Sequence, residues 1–152
     1  MNSELPALLP HGQEMVLLDG ILGLDDTSLT AEVVIRESSQ FYRPTGDPLC
    51  EGQAGVPAWV GVEYMAQAVA AWSGAREKKA GNGPKIGFLL AVKEYSCSHP
   101  LFPLGSRLTV TVRARDQHGS LKIFAGEIEG AELTASAVIS VFEGEPPRRG
   151  SS

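Results

Sequence analysis

A chain of 152 residues, 43% hydrophobic and 20% charged, fits one folded domain with a proper core. Its net charge of −5 argues against non-specific nucleic-acid binding, because a phosphate binder presents a basic field. Two cysteines, Cys50 and Cys97, with no CxxC and no histidine cluster, argue against a disulfide framework or a structural zinc site and fit a reducing cytoplasm.

The opening "MNSELPALLPHGQEM" lacks a basic n-region followed by a long apolar run, so it does not read as a signal peptide. Residues 15–24, "MVLLDGILGL", read as a strand that is apolar on both faces. "DDTS" supplies a turn, after which Leu29, Ala31, Val33 and Ile35 alternate with Thr30, Glu32 and Arg36 in a half-buried strand. Residues 38–55 carry Pro44, Gly46, Pro48, Gly52 and Gly55 and form a long loop, of the kind that more often has a function than not.

Next comes "VPAWVGVEYMAQAVAAWSG", residues 56–74. Pro57 suits the first turn of a helix; Gly74 and "KKAGNGP" end it, with Arg76, Lys78 and Lys79 favourably placed in the last turn. Glu63 and Gln67 interrupt the apolar run, which makes it a poor membrane span and a good buried helix. Four strands follow, at 86–97, 106–116, 121–128 and 132–142, with "DQHG" and "EG" as hairpin turns. In the second of these, Leu108, Val110, Val112 and Ala114 face one way and Arg107, Arg113 and Arg115 the other. A single domain is expected over 1–145, with "EPPRRGSS" ending in a polar tail at 146–152.

Two strands, a long loop, one apolar helix and four antiparallel strands make an α+β protein in which a curved antiparallel sheet wraps around one long central helix. A helix enclosed in this way is buried all round. Ala66, Ala68, Ala70, Ala71 and Gly74 supply its small surfaces, and Trp59, Met65, Val69 and Trp72 its bulk. Glu63 has no place in that packing argument.

Three blocks in order resemble a known family. "LPHGQEMVLLDGI" is similar to the opening "LPHRxP(M/F)LL(V/L)DR" of the β-hydroxyacyl-acyl-carrier-protein dehydratases of the hot-dog fold. "VPAWVGVEYMAQ" resembles their "PGVLIxEAMAQ", with the acid six residues after the proline in both. "IGFLLAVKEYSCSHPLFPLGSRLTV" looks like their strand and turn "yFaGIdxxkFrrPVxPGDxL". Together the blocks cover about two-thirds of the chain. The form "PAWVGVEYMAQ…WSG" is more similar still to the dehydratase-like subunits of aryl polyene biosynthesis clusters.

The resemblance implies specific roles. In such dehydratases a loop histidine works with the helix acid, the two coming from opposite protomers at the mouth of an acyl tunnel. Glu63 matches the acid. Pro57 and Ala58 match the "PG" whose backbone amide holds the thioester carbonyl, and Trp59 follows them at the helix start as a further substrate-binding position. Gln67 matches the glutamine one turn beyond the acid, on the same helix face. The departure is equally specific. Eight residues before Pro57, where the family keeps its histidine, stands Leu49, and "TGDPLCEGQAGVP" holds no histidine at all.

Elimination of water from a β-hydroxyacyl thioester needs a base for the α-proton, an acid for the departing hydroxyl and donors for the developing enolate oxygen. Glu63 reads as the acid–base group. The alternative is a helix acid that faces solvent or pairs with an arginine at a dimer contact. His11, in "LPH", reads as a turn or subunit contact against a replacement base; His99 and His118 read as structural. Cys50, Asp47 and Glu51 could act from the loop. Trp59, Tyr64 and Trp72 are core or tunnel wall. The basic run "REKKAGNGPK" (76–85) and the Arg107, Arg113 and Arg115 strand face are each a solvated surface or a dock for an acidic acyl carrier protein.

The expected function is dehydration of 3-hydroxyacyl thioesters on an acyl carrier protein, without metal or cofactor. The protein is expected as a homodimer, or as a heterodimer with a related dehydratase that supplies the histidine. A hot-dog thioesterase, and a non-catalytic acyl-binding or partner subunit, are the rival readings.

Overall fold

The computed structural model describes residues 16–47, 52–79 and 89–142. Chain order is β1 (Gly20–Leu24), β2 (Ser28–Val34), β3 (Gly55–Pro57), a 3-10 turn (Ala58–Val60), α1 (Gly61–Lys79), β4 (Leu89–Cys97), β5 (Leu101–Pro103), β6 (Arg107–His118), β7 (Leu121–Glu129) and β8 (Thr134–Phe142). Six strands form one antiparallel sheet in the order β1-β2-β6-β7-β8-β4, and β3 pairs with β5 in a second, two-stranded sheet.

Alternation dictates which face of the large sheet is buried. Leu29, Ala31 and Val33 of β2 lie directly opposite Val112, Val110 and Leu108 of β6, and all six are buried. Phe124 and Ile128 of β7 and Ala135, Ala137, Ile139 and Val141 of β8 continue this inner face. Apolar side chains on one face with polar ones on the other are the pattern of a sheet solvated on one side. The helix packs against that inner face. Gly126 admits it: a Cβ there would lie 2.9 Å from the Met65 sulfur and 2.9 Å from Ile139 Cδ1. Trp72 closes the far end, edge-on to Phe124 with centroids 5.2 Å apart, its Nε1 donating to the Asp25 carbonyl at 3.3 Å.

The turn at "DDTS" is built by Asp25, whose Oδ1 accepts the N–H groups of Thr27 at 2.9 Å and Ser28 at 2.8 Å. The Thr27 N–H, with the other donors around it, holds this carboxyl below its ordinary value.

The expected strand at 15–24 is shorter in the fold. Regular pairing begins at Gly20, and Leu22 and Leu24 are exposed, because β1 is an edge strand and only Leu18 and Ile21 reach the core. Met15 and the tail at 146–152 lie outside the described residues, as do residues 86–88 of the strand expected at 86–97. Pro57 ends β3 rather than occupying the first helical turn: β3 joins Gly55 of the expected loop to Val56 and Pro57 of the expected helix, β5 arises in the expected turn, and α1 runs on past Gly74 to Lys79. The register of β6 against β7 shifts between Ala114 and Asp116, so the simple alternation of the strand stops at Arg115.

Candidate active site

The start of α1 is fixed by close backbone approaches. Gly55 of β3 lies against the Phe102 backbone: a Cβ there would overlap the Phe102 carbonyl oxygen and sit 2.9 Å from its carbon. The Ala58 N–H donates to the Pro100 carbonyl at 3.0 Å, and the Ala58 carbonyl accepts the Tyr95 hydroxyl at 2.6 Å. Gly61 makes room for that phenol, since a Cβ would overlap its oxygen. The 3-10 turn is thereby held from both sides at the point where the helix begins.

Burial pushes the phenols of Tyr95 and Tyr64 well above their ordinary value of 10.0, so both stay protonated donors. Above their ordinary value the unfolded phenols give up a proton that the folded ones still hold, so rising pH favours the unfolded state. The stability that the held protons contribute is complete below about pH 10 and disappears as pH rises through the folded pKa values. Thermal melts should therefore fall with pH above about 10, and Tyr95→Phe should flatten that fall.

The helix is not enclosed all round by its own sheet, as the sequence led us to expect. Trp59 and Glu63 are exposed, and Val62 and Ala66 are half-buried, leaving an open stripe along the first turns. Trp59, 51% exposed, meets Phe41 edge-on at 5.4 Å and 68°. Phe41 is itself 43% exposed and has φ of 69°, a left-handed conformation unfavourable for a bulky residue. Two exposed aromatic rings thus meet at the turn that opens α1, four residues before the exposed Glu63, which has no ion-pair partner among the described residues. The expected burial of Glu63 is not provided by this chain alone.

The other predicted site residues separate. Gln67 is buried, and its Oε1 accepts the Leu17 N–H at 2.7 Å, so in this chain it pins the segment before β1. The Ala58 amide, expected to hold a thioester carbonyl, is engaged with Pro100; the Trp59 N–H is next along a turn of the kind that leaves its first donors open. Pro57 is buried in β3, and Trp59 is surface rather than core. Asp47 pairs with Arg43 at 3.3 Å. His99 Nδ1 meets Ser98 Oγ at 2.8 Å, and His118 is exposed at the end of β6.

Arg76 is tied over the Trp72 ring at 4.9 Å and donates to the Asp26 carbonyl at 2.9 Å; Arg107 pairs with Glu32. His11, Leu49, Cys50, Glu51 and the residues from 80 to 85 lie outside the described residues. Among the described residues no group of three or more His, Cys, Asp or Glu could hold a metal ion, and no helix is long and apolar enough to cross a membrane.

A family model for ApeP-like proteins, described as ApeP dehydratase, matches residues 3–149. The chain belongs to the ApeP-like dehydratase family. Its fold is the hot-dog arrangement, six strands and two around a single helix. An ApeP-like relationship in shape extends to the dehydratase heterocomplex ApeI:P of Xenorhabdus doucetiae. The TM-score is 0.79 at 24% identity, over 93% of this chain and 91% of that one. More distant are an acetyl-CoA-bound protein of Streptococcus mutans (TM-score 0.55, 11% identity, 85% and 90% covered) and a thioesterase of Staphylococcus aureus (0.52, 10%, 81% and 92%). Among curated proteins no relative matches.

Sequence reasoning passed over Phe41 and Tyr95, and left Tyr64 between core and tunnel wall. The available signals were an aromatic pair, "FY", in a Pro/Gly-rich loop and a tyrosine directly beside the acid.

Proposed function

We propose that this chain is one half of a composite dehydratase acting on 3-hydroxyacyl groups held as thioesters on an acidic acyl carrier protein. The observation that carries this reading is that Glu63 and the Phe41–Trp59 pair are all exposed at the start of α1, with Trp59 four residues before the acid. A carboxylate in water is a weak participant in α-proton chemistry. The same group covered by an apolar partner surface gains the desolvation that tunes a carboxylic acid for proton transfer near neutral pH. Large exposed rings at the start of the same helix are what a second subunit would cover.

In the reaction, one group takes a proton from the α-carbon, the other protonates the β-hydroxyl, and the C–O bond breaks to give the enoyl thioester and water. Glu63 supplies one of these two groups. The partner, a related hot-dog subunit, supplies the histidine whose place is taken here by Leu49. The Trp59 N–H, at the positive end of α1, polarises the thioester carbonyl. The ApeI:P heterocomplex, a dehydratase built from two kinds of subunit, supports the pairing.

Mass spectrometry of a 3-hydroxyacyl carrier protein tests it. Incubation with the chain alone should leave the acyl group unchanged, and addition of the histidine-bearing partner should remove one water. Full-strength dehydration by the chain alone would sink the composite site.

A further inference from the structure

Tyr95 of β4 reaches the start of α1 by means that the pairing of β4 does not call for. The register of β4 against β8 shifts between Lys93 and Ser96, and Glu94 within that bulge has φ of 55°, a left-handed conformation uncommon outside glycine. Val92 is half-buried while Lys93 and Glu94 are both exposed, so the extra residue breaks the alternation and turns Tyr95 back to the inner face. Without it, Tyr95 would share the solvent face with Lys93. Gly61, the first residue of α1, then leaves the space that the phenol oxygen fills, although glycine favours a helix less than almost any other residue.

The bulge and the glycine converge on one bond, from the Tyr95 hydroxyl to the Ala58 carbonyl at 2.6 Å. Closing the 3-10 turn does not require it. The Gly61 N–H already donates to the same oxygen, so the phenol is a second donor on one carbonyl. That carbonyl belongs to the peptide unit that carries the Trp59 N–H. A trans peptide is planar, with its C=O and N–H pointing opposite ways. Tyr95 packs against the core, so holding the oxygen inward turns the Trp59 N–H outward, at a residue that is itself half exposed. A donor on the carbonyl also draws charge from the amide nitrogen and strengthens its N–H, a cooperative gain of roughly 10–30% per bond.

We infer that Tyr95 is a positioning residue for the thioester carbonyl: through the shared Ala58–Trp59 peptide, its hydroxyl aims the Trp59 N–H and strengthens it. This rests on the reading of that N–H as the group that polarises the carbonyl. Negative charge gathers on the thioester oxygen as elimination proceeds, so an aimed donor acts on the rate more than on binding.

The test uses the complex of the full chain with its histidine-bearing partner. The probe is an acyl pantetheine thioester labelled with 13C at the carbonyl and lacking the 3-hydroxyl. Its infrared carbonyl stretch should fall on binding to the wild-type complex. Tyr95→Phe should move the stretch back toward its value in buffer, lower kcat for the 3-hydroxyacyl substrate about threefold to tenfold, and leave KM within about twofold. Tyr95→3-fluorotyrosine, a more acidic donor of nearly the same shape, should move the stretch below the wild-type value. A stretch unmoved by either substitution overturns the inference and leaves Tyr95 a structural pin, whatever the variants do to stability. A wild-type complex that eliminates water without shifting the stretch also overturns it, because the N–H would then have no part in the chemistry. If the wild-type complex eliminates no water, the dehydratase reading falls, while the stretch still judges the Tyr95 contact.

Discussion

Glu63→Gln in the assembled complex lowers the rate of water elimination by on the order of a hundredfold or more, the usual contribution of a positioned acid or base. The substitution keeps the length and shape of the side chain, exchanges one oxygen for an NH2 donor, and removes its charge and its ability to exchange a proton. Because Glu63 is exposed in this chain and has no ion-pair partner among the described residues, its carboxylate contributes little to folding, and the variant should melt with the wild type. The loss should fall on kcat, since a group that acts in the transition state leaves ground-state binding nearly unchanged. The measurement is steady-state dehydration of the carrier-bound thioester by complexes containing either form of the chain. A variant complex within about threefold of the wild-type rate would remove Glu63 from the chemistry and favour a non-catalytic subunit that binds acyl chains or a partner.

The sequence carries the large sheet and the helix openly, because a buried face imposes its own period. Leu29, Ala31 and Val33 alternate, their partners Leu108, Val110 and Val112 alternate in step, and the helix is filled with alanine where strands come near. Which apolar residues another chain covers is a different matter. Trp59 and Trp72 look alike in sequence, yet one is 51% exposed and the other 3%, since composition does not record whose surface buries a side chain. The Ala58 amide was assigned to the thioester, but Pro100, more than forty positions away, takes its N–H. Strands β3 and β5 have three residues each, too few to show an alternation, and their pairing depends on a close backbone approach instead. The left-handed Phe41 leaves no local signal either, because no glycine or asparagine marks it.

That close backbone approach sets the largest expected stability effect. Gly55→Ala places a methyl group on the Phe102 carbonyl oxygen, 2.9 Å from the carbonyl carbon and 2.7 Å from Leu101 Cδ1. The leucine methyl can swing aside, but the carbonyl belongs to the paired strand and can move only if β3 and β5 separate. Separation also disturbs the Arg43 contacts to Gly55 on the other edge and the Ala58 bond to Pro100 just beyond. Overpacking of this kind costs about 3 kcal/mol, the upper part of its usual range. For a chain of this length that is a fall of roughly 6–12 °C in Tm. Gly126→Ala is the control: its added methyl meets the flexible ends of Met65 and Ile139, so it should cost distinctly less. Thermal melts of the two variants compare them directly. Equal effects would mean that the β3–β5 pair yields as easily as a side chain, and the helix start would then be held by Tyr95 and Gly61 rather than by the small sheet. If Gly55→Ala is the more damaging, the three-residue strands are what aim Trp59 and Glu63 outward, and the variant should lose dehydration at temperatures where its large sheet is still folded.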